Sequence, residues 1–142
     1  MIEFVAVAEV DIDAPAHRVW TALTDPDEIR QYMFGTNVET TWTPDTPIVW
    51  KGEYEGKPYE GKGTVLQVVP DTRLQMTHFS PLTGDDDVPE NYHTITYELQ
   101  PRDGGTHLAL TQDGSRSQDE ADRSSATWAT MLASIKELVE AA

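Results

Sequence analysis

The chain has 142 residues, the usual size of one domain, and we expect a single domain over residues 1–142. It has no cysteine, which excludes a disulfide framework, a thiolate zinc site and a thiol nucleophile. With 25 acidic and 10 basic residues the formal net charge is −15, so nucleic acid and anionic membrane surfaces should repel the protein. A plain acidic surface or adaptation to a salty cytoplasm would account for this charge.

The N-terminal stretch, MIEFVAVAEVDIDAP, has no signal-peptide pattern. It lacks a basic start, and Glu3 and Glu9 interrupt its apolar residues. No other stretch approaches the apolar length that a membrane-crossing helix needs. We therefore expect a soluble, cytoplasmic protein without membrane insertion.

The first predicted elements are one strand and two short helices. FVAVAEVDI, residues 4–12, is rich in β-branched and apolar residues and predicts a strand. APAHRVWTAL follows, with Pro15 suited to the first turn of a helix. Asp25 and Glu28 have the spacing of a capping box, which predicts a second short helix that stops near Gly35.

From residue 36 to about residue 113 the pattern predicts strands and turns. The predicted strands are TNVETTW (36–42), PIVWKGEYE (47–55), GTVLQVV (63–69), LQMTHFS (74–80), YHTITYELQ (92–100) and THLALTQ (106–112). EGKPYEG (55–61) predicts a turn, and the run Asp103, Gly104 and Gly105 predicts the tight turn of the last hairpin.

The last segment predicts the longest helix. Ser117 and Glu120 form a second capping-box pattern. Apolar or small residues then recur at helical spacing: Ala121, Ser125, Trp128, Leu132, Ile135 and Val139. The order of elements predicts an α+β fold, in which a long C-terminal helix lies across a curved antiparallel sheet of about six or seven strands.

Four stretches together resemble one known superfamily. They are DIDAPAHRVWTALTDPDEI, GEYEGKPYEGKGTVLQVVPDTRLQMTHF, YHTITYELQPRDGGTHLALTQDG and TWATMLASIKELVE. In this order they resemble START-like (SRPBCC) proteins with the helix-grip fold, which birch-pollen allergens share. The best match is the branch named after the activator of the HSP-90 ATPase, which is related to polyketide cyclases.

The resemblance implies a deep cavity between the long helix and the sheet, holding a lipid, sterol, polyketide or other apolar small molecule. The full activator has an additional N-terminal domain, for which the sequence leaves no room before its first strand; we therefore expect no literal chaperone-activator role, while association with a chaperone stays an open alternative. The branch often has paired tryptophans after the second short helix, where this chain has Tyr32, Met33 and Phe34.

Strand alternation predicts which side chains would line such a cavity. From the strands these are Trp50, Tyr54, Met76, His78, His93, Ile95, Tyr97, Leu108, Leu110 and Gln112, and from the last helix Trp128, Met131, Leu132 and Ile135. The set is mostly apolar and aromatic with a few polar groups, as is usual for a small-molecule pocket. Ordinary core packing is the alternative explanation, above all for Trp128 and Met131.

His78, His93 and Tyr97 are the candidate catalytic residues. The two histidines could orient a carbonyl or phenol, or move a proton near neutral pH, but no carboxylate partner is evident. Two histidines are too few for a zinc site, and the spacing of the acidic residues in GDDDVPE does not match a calcium-binding loop. We predict no metal and no cofactor, and regard this loop as a possible lid.

Three functions follow from the sequence. The first is binding of a small hydrophobic or aromatic ligand. The second is a cyclase- or dehydratase-type enzyme acting on a polyketide-like substrate. The third is a chaperone-associated or stress-response module that uses an outer face. The sequence leaves the ligand, the oligomeric state and the presence of enzymatic activity open.

Overall fold

A computed structural model describes residues 4–33, 35–54, 56–80, 84 and 86–141, without the side chain of Tyr54. The strands are β1 (Phe4–Ile12), β2 (Asn37–Glu39), β3 (Pro47–Tyr54), β4 (Lys57–Val69), β5 (Arg73–His78), β6 (His93–Arg102) and β7 (Gly105–Ser115). The helices are α1 (Ala16–Thr24), α2 (Pro26–Tyr32) and α3 (Gln118–Glu140), and Pro89–Asn91 forms one turn of 3-10 helix.

The seven strands form one antiparallel sheet in the order β1-β7-β6-β5-β4-β3-β2. The first and last strands of the chain are therefore neighbours, and α1 and α2 lie between β1 and the short edge strand β2. The helix α3 packs mainly against β1 and also contacts β7, α1 and α2. This arrangement confirms the predicted α+β helix-grip fold.

The sheet alternates between a buried and a more exposed face. In β6, for example, Ile95, Tyr97 and Leu99 are buried, and they lie on the same face as Leu108 and Leu110 of β7. This is the period-two pattern expected of a sheet with a core on one side. None of the described helices is long and apolar enough to span a bilayer.

Local sequence signals account for the ends of the helices. The Asp25 carboxylate accepts a hydrogen bond from the backbone N–H of Asp27 at 2.9 Å, and the Ser117 hydroxyl accepts one from the backbone N–H of Glu120 at 3.1 Å. Each supplies a partner to an N–H group that the helix itself leaves free. The predicted helix starts are thus confirmed.

The predicted end of β2 and the predicted start of β4 were wrong. Strand β4 begins at Lys57, inside the stretch predicted as a turn, because its first residues pair with the end of β3 and leave Gly56 at a φ of +78° for the turn. Strand β2 stops at Glu39, whose pair with Val49 is the last one to β3, although the alternation continues to Trp42; Trp42 itself has a φ of +55° and is not extended.

The hairpin between β6 and β7 has the predicted tight turn. Arg102 pairs with Gly105, and Gly104 has a φ of +78°. Gly105 is required for a different reason, because a Cβ there would lie 2.2 Å from the backbone oxygen of Ile12. The end of β1 can approach the hairpin this closely only because glycine has no side chain at position 105.

Candidate functional site

A small cavity lies inside the fold between the first two helices, the sheet and α3. Its volume is about 50 Å³, which is room for a few water-sized groups and far less than a sterol or an acyl chain needs. The lining residues are Leu23, Ile29, Tyr32, Met33, Trp42, Ile48, Trp50, Met76, His78, Ile95, Tyr97 and Trp128. The interior is therefore largely filled by its own aromatic side chains.

A larger groove of about 500 Å³ lies outside this cavity, along one side of α3. It is lined by Tyr32, Met33, Thr36, Tyr59, His78, Ser80, Thr127, Trp128, Thr130, Met131 and Ser134. Tyr32, Met33, His78 and Trp128 line both spaces. These four side chains form the boundary between the outer groove and the inner cavity.

His78 supplies a polar side chain at this boundary. Its ring meets the Trp50 ring edge-on at a centroid distance of 4.8 Å, and it lies over Gly61, where a Cβ would be 3.1 Å from Nε2. Burial, with a smaller contribution from the nearby His93, lowers the pKa of His78 to about 4. The imidazole is therefore neutral at neutral pH, and it keeps one N–H donor and one nitrogen acceptor.

His93 lies directly opposite His78 in the pairing of β5 with β6, but its ring is engaged elsewhere. Its Nδ1 is 2.9 Å from the backbone oxygen of Asp113, beside Gly114. His93 is not among the residues that line the cavity or the groove. The two histidines therefore do not face one common space.

Two tyrosines border the inner cavity with different hydrogen bonding. The Tyr32 hydroxyl donates to the backbone oxygen of Ala22 at 2.9 Å. Tyr97 is only 8% exposed, and no hydrogen bond from its hydroxyl is found within the described part of the chain. Burial raises the pKa of both phenols, so both stay protonated. Tyr97 thus presents an unpartnered hydroxyl inside the fold.

Trp128 is held at the boundary by a hydrogen bond to the sheet. Its indole Nε1 donates to the side-chain oxygen of Gln112 on β7 at 2.6 Å. One helical turn further on, Met131 lines the groove. The helix thus supplies one aromatic and one thioether side chain to the groove wall, with the indole orientation set by the sheet.

The hydroxyl groups of α3 that line the groove are satisfied by their own helix. Thr127 donates to the backbone oxygen of Arg123, and Thr130 and Ser134 each donate to the backbone oxygen four residues earlier. At the opposite rim, the Thr36 and Tyr59 hydroxyls lie 3.3 Å apart. The described lining of both spaces contains no Asp, Glu, Lys or Arg side chain.

The predicted site residues fall into three groups. Trp50, Met76, His78, Ile95, Tyr97 and Trp128 line the cavity, and His78, Trp128 and Met131 line the groove. His93, Leu108, Leu110, Gln112, Leu132 and Ile135 line neither space. The side chain of Tyr54 lies outside the described structure. Leu108 and Leu110 of β7 and Leu132 and Ile135 of α3 are fully buried in the hydrophobic core.

Several lining residues were missed by the sequence analysis. Tyr32 ends α2 and Met33 follows it, at the position where relatives in the resembling branch often have paired tryptophans, so that position was an available signal. Trp42 had no such signal, because its ring reaches the cavity through a backbone conformation that strand alternation does not predict. Thr36 directly precedes β2 and Tyr59 lies in β4, and only the folded structure shows that the two come together.

The described residues contain no group of three side chains placed to hold a metal ion. In the acidic loop, Asp87 instead pairs with Lys62 and accepts a hydrogen bond from the Tyr92 hydroxyl at 2.6 Å. Residue 85 of this loop and residues 81–83 before it lie outside the described structure, so the role of the loop as a lid stays a prediction.

Comparison with known proteins places the chain among relatives of the same architecture. A family model described as "Activator of Hsp90 ATPase homolog 1-like protein" matches residues 13–140. The protein ChR145 from Cytophaga hutchinsonii, known in solution, is 45% identical, with a TM-score of 0.87 over 99% of this chain and 96% of that chain. Among curated proteins, none matches the sequence.

Two more distant structures share the fold. The Aha1 dimer from Colwellia psychrerythraea is 18% identical, with a TM-score of 0.75 over 99% of this chain and 97% of that chain. DynU16, a protein of the dynemicin biosynthetic locus, is 18% identical, with a TM-score of 0.80 over 98% of this chain and 48% of that chain. At these identities the likeness shows a common fold alone.

Proposed function

Because the chain belongs to the family of activator of Hsp90 ATPase homolog 1-like proteins, whose fold is of a ligand-binding or cyclase type, we propose that it binds a small hydrophobic or aromatic molecule. The ligand would lie in the groove along α3 and extend one small group into the inner cavity. The observation that carries the proposal is that the two spaces adjoin, because Tyr32, Met33, His78 and Trp128 line both.

The size and chemistry of the groove support this proposal. A volume of about 500 Å³ lies within the usual range of small-molecule sites. Aromatic and thioether side chains of Trp128, Met33 and Met131 supply adaptable apolar walls, and polar hydroxyls lie at the rim. The inner cavity is too small to hold the body of a lipid or sterol, so binding in the groove replaces the deep internal cavity that the family resemblance implied.

Native mass spectrometry and thermal unfolding with a panel of fatty acids, sterols and polyketides test the proposal. We expect at least one class to remain bound in the mass spectrum and to raise the melting temperature, because a ligand of the folded state stabilises it by mass action. Met131→Glu should abolish this rise by placing a carboxylate in the groove. Val69→Glu is the matched control, since Val69 is an exposed residue away from the groove. A panel without any bound member would refute the proposal.

A cyclase- or dehydratase-type activity is the second candidate, because His78 and Tyr97 face the same inner cavity. A pKa of about 4 makes His78 a weak base at neutral pH, and the raised pKa of Tyr97 makes it a weak acid. These two side chains are therefore better suited to forming hydrogen bonds with a substrate than to transferring a proton. If the protein is such an enzyme, His78→Gln should abolish turnover of a polyketide-like substrate and retain its binding, whereas His93→Gln should retain both. Unchanged turnover in His78→Gln would eliminate this candidate.

A further inference from the structure

We infer that the ligand is an uncharged ring compound that carries a hydrogen-bonding group, such as a phenol or ketone, at the end entering the inner cavity. This inference rests on the proposed function and narrows its ligand class. Three independent features of the site carry it: the charge of the lining, the size of the inner cavity and the unpartnered polar groups at its wall.

The first feature is the lack of charge along the path of the ligand. The described lining residues include no lysine or arginine that could pair with a carboxylate or phosphate. The formal net charge of −15 adds a long-range repulsion of anions. Burying an ionised group without a partner is strongly unfavourable, so an anionic end should stay in water and an uncharged end should enter.

The second feature is the difference in size between the two spaces. The inner cavity of about 50 Å³ has room for a hydroxyl, a carbonyl oxygen or a methyl group, whereas the groove of about 500 Å³ has room for a ring system. The rings of Trp50 and Tyr97 occupy the interior that a longer group would need. A ligand must therefore end in a small group where it passes His78 and Trp128.

The third feature is unsatisfied hydrogen-bonding capacity at the cavity wall. Tyr97 as a residue is 8% exposed and lines the cavity, and its hydroxyl makes no hydrogen bond to the described residues. The neutral His78 ring lines the same cavity and, within the described part of the chain, makes a ring contact with Trp50 but no hydrogen bond. A polar ligand atom that pairs with this hydroxyl gains affinity over an apolar atom, which would cover the hydroxyl and leave it without a partner.

Three ligands with one ring skeleton test the inference: naphthalene, 2-naphthol and 2-naphthoate. Binding affinity is measured by calorimetry at neutral pH, with the indole N–H resonance of Trp128 as a local reporter. We expect 2-naphthol to bind most tightly, naphthalene less tightly and 2-naphthoate most weakly. We expect an advantage of roughly three- to tenfold for 2-naphthol over naphthalene, the range of one net hydrogen bond. If 2-naphthoate binds as tightly as 2-naphthol, the inference is wrong and the proposed function stands. If none of the three binds, the inference is wrong, and the panel of fatty acids, sterols and polyketides decides the proposed function separately.

The Tyr97→Phe variant tests whether the preference for 2-naphthol over naphthalene arises in the inner cavity. It should reduce the affinity for 2-naphthol by roughly three- to tenfold and leave that for naphthalene unchanged, because only the hydroxyl is lost. Tyr92→Phe is the matched control, since the Tyr92 hydroxyl bonds to Asp87 away from both spaces. An equal loss for both ligands in Tyr97→Phe would show a general packing effect and overturn the inference. The order of the three ligands on the unmodified protein remains decisive if the variant does not fold.

Discussion

At the residue scale, the site depends on a few side chains in positions that their own strand or helix does not dictate. Trp42 is the clearest case. It lines the inner cavity, and its φ of +55° lies in the left-handed region that side chains other than glycine rarely adopt. The ring of Trp42 thus contributes to the small volume of the cavity at the cost of backbone strain.

Comparison of Trp42→Gly with Trp42→Ala measures this strain. Both variants lose the ring, but glycine adopts a positive φ without penalty, while its greater freedom in the unfolded chain offsets part of the gain. We expect Trp42→Gly to have a free energy of unfolding about 0.5–1 kcal/mol higher than that of Trp42→Ala, as measured by urea denaturation. The matched pair is Trp50→Gly and Trp50→Ala on β3, where the order should reverse because glycine weakens a strand. If alanine is the more stable substitution at both positions, Trp42 is not strained.

At the element scale, α3 closes the fold by covering the free edge of β1. The backbone N–H of Val7 donates to the Ser125 hydroxyl at 3.0 Å, and the backbone N–H of Asp13 donates to the Glu140 carboxylate at 2.9 Å. Between them, the Lys136 ammonium donates to the backbone oxygen of Asp11 at 2.7 Å. An edge strand is otherwise open to pairing with another chain, so these contacts also protect the protein against edge-to-edge association.

Glu140 makes this closure dependent on pH. The hydrogen bond from the Asp13 backbone, followed by that from Lys136, holds the pKa of Glu140 below its ordinary value of 4.5. A carboxylate with a lowered pKa in the folded state stabilises it above the unfolded-state pKa, and this contribution is lost as the pH falls through the folded-state pKa.

The expected outcome is that Glu140→Gln lowers the melting temperature at neutral pH, and that its difference from the unmodified protein narrows once the pH falls below 4.5. Thermal unfolding followed by circular dichroism at several pH values measures this difference. Glu137→Gln, an exposed change in the same part of α3, is the control and should have little effect at any pH. A constant difference for Glu140→Gln across the pH range would contradict the electrostatic explanation.

At the scale of the whole molecule, the net charge of −15 acts on stability more than on fold. Like charges repel each other in the compact state. The protein also has surface ion pairs, such as Arg73 with Glu98 and Arg102 with Asp11, but exposed pairs contribute little individually. The general repulsion should therefore outweigh the pairs.

Salt should accordingly stabilise the protein. We expect the melting temperature to rise between about 0.02 M and about 0.5 M sodium chloride, because screening shortens the range of the repulsion. Replacing three exposed glutamates, Glu53, Glu60 and Glu137, with glutamine should reduce this dependence. A melting temperature that falls with salt would instead show that the ion pairs dominate.

The sequence by itself determined the order of the elements, the helix starts at Asp25 and Ser117, and the fold class. These follow from periodicity and capping chemistry, which act over a few neighbouring residues. It also brought Trp50, His78 and Tyr97 into the list of candidates, because strand alternation shows which residues share a face, and Trp128, because helical spacing places it on the apolar side of the last helix.

Only the tertiary structure decided which of those candidates meet and how much space they leave. The His93 ring forms a hydrogen bond with the backbone oxygen of Asp113, and Leu108 and Leu110 are fully buried. Trp42 reaches the cavity with a φ of +55°, in the left-handed region. The division into a small inner cavity and a larger outer groove depends on how side chains from distant elements fill the interior. Packing is a property of the assembled volume, and no local pattern of residues encodes it.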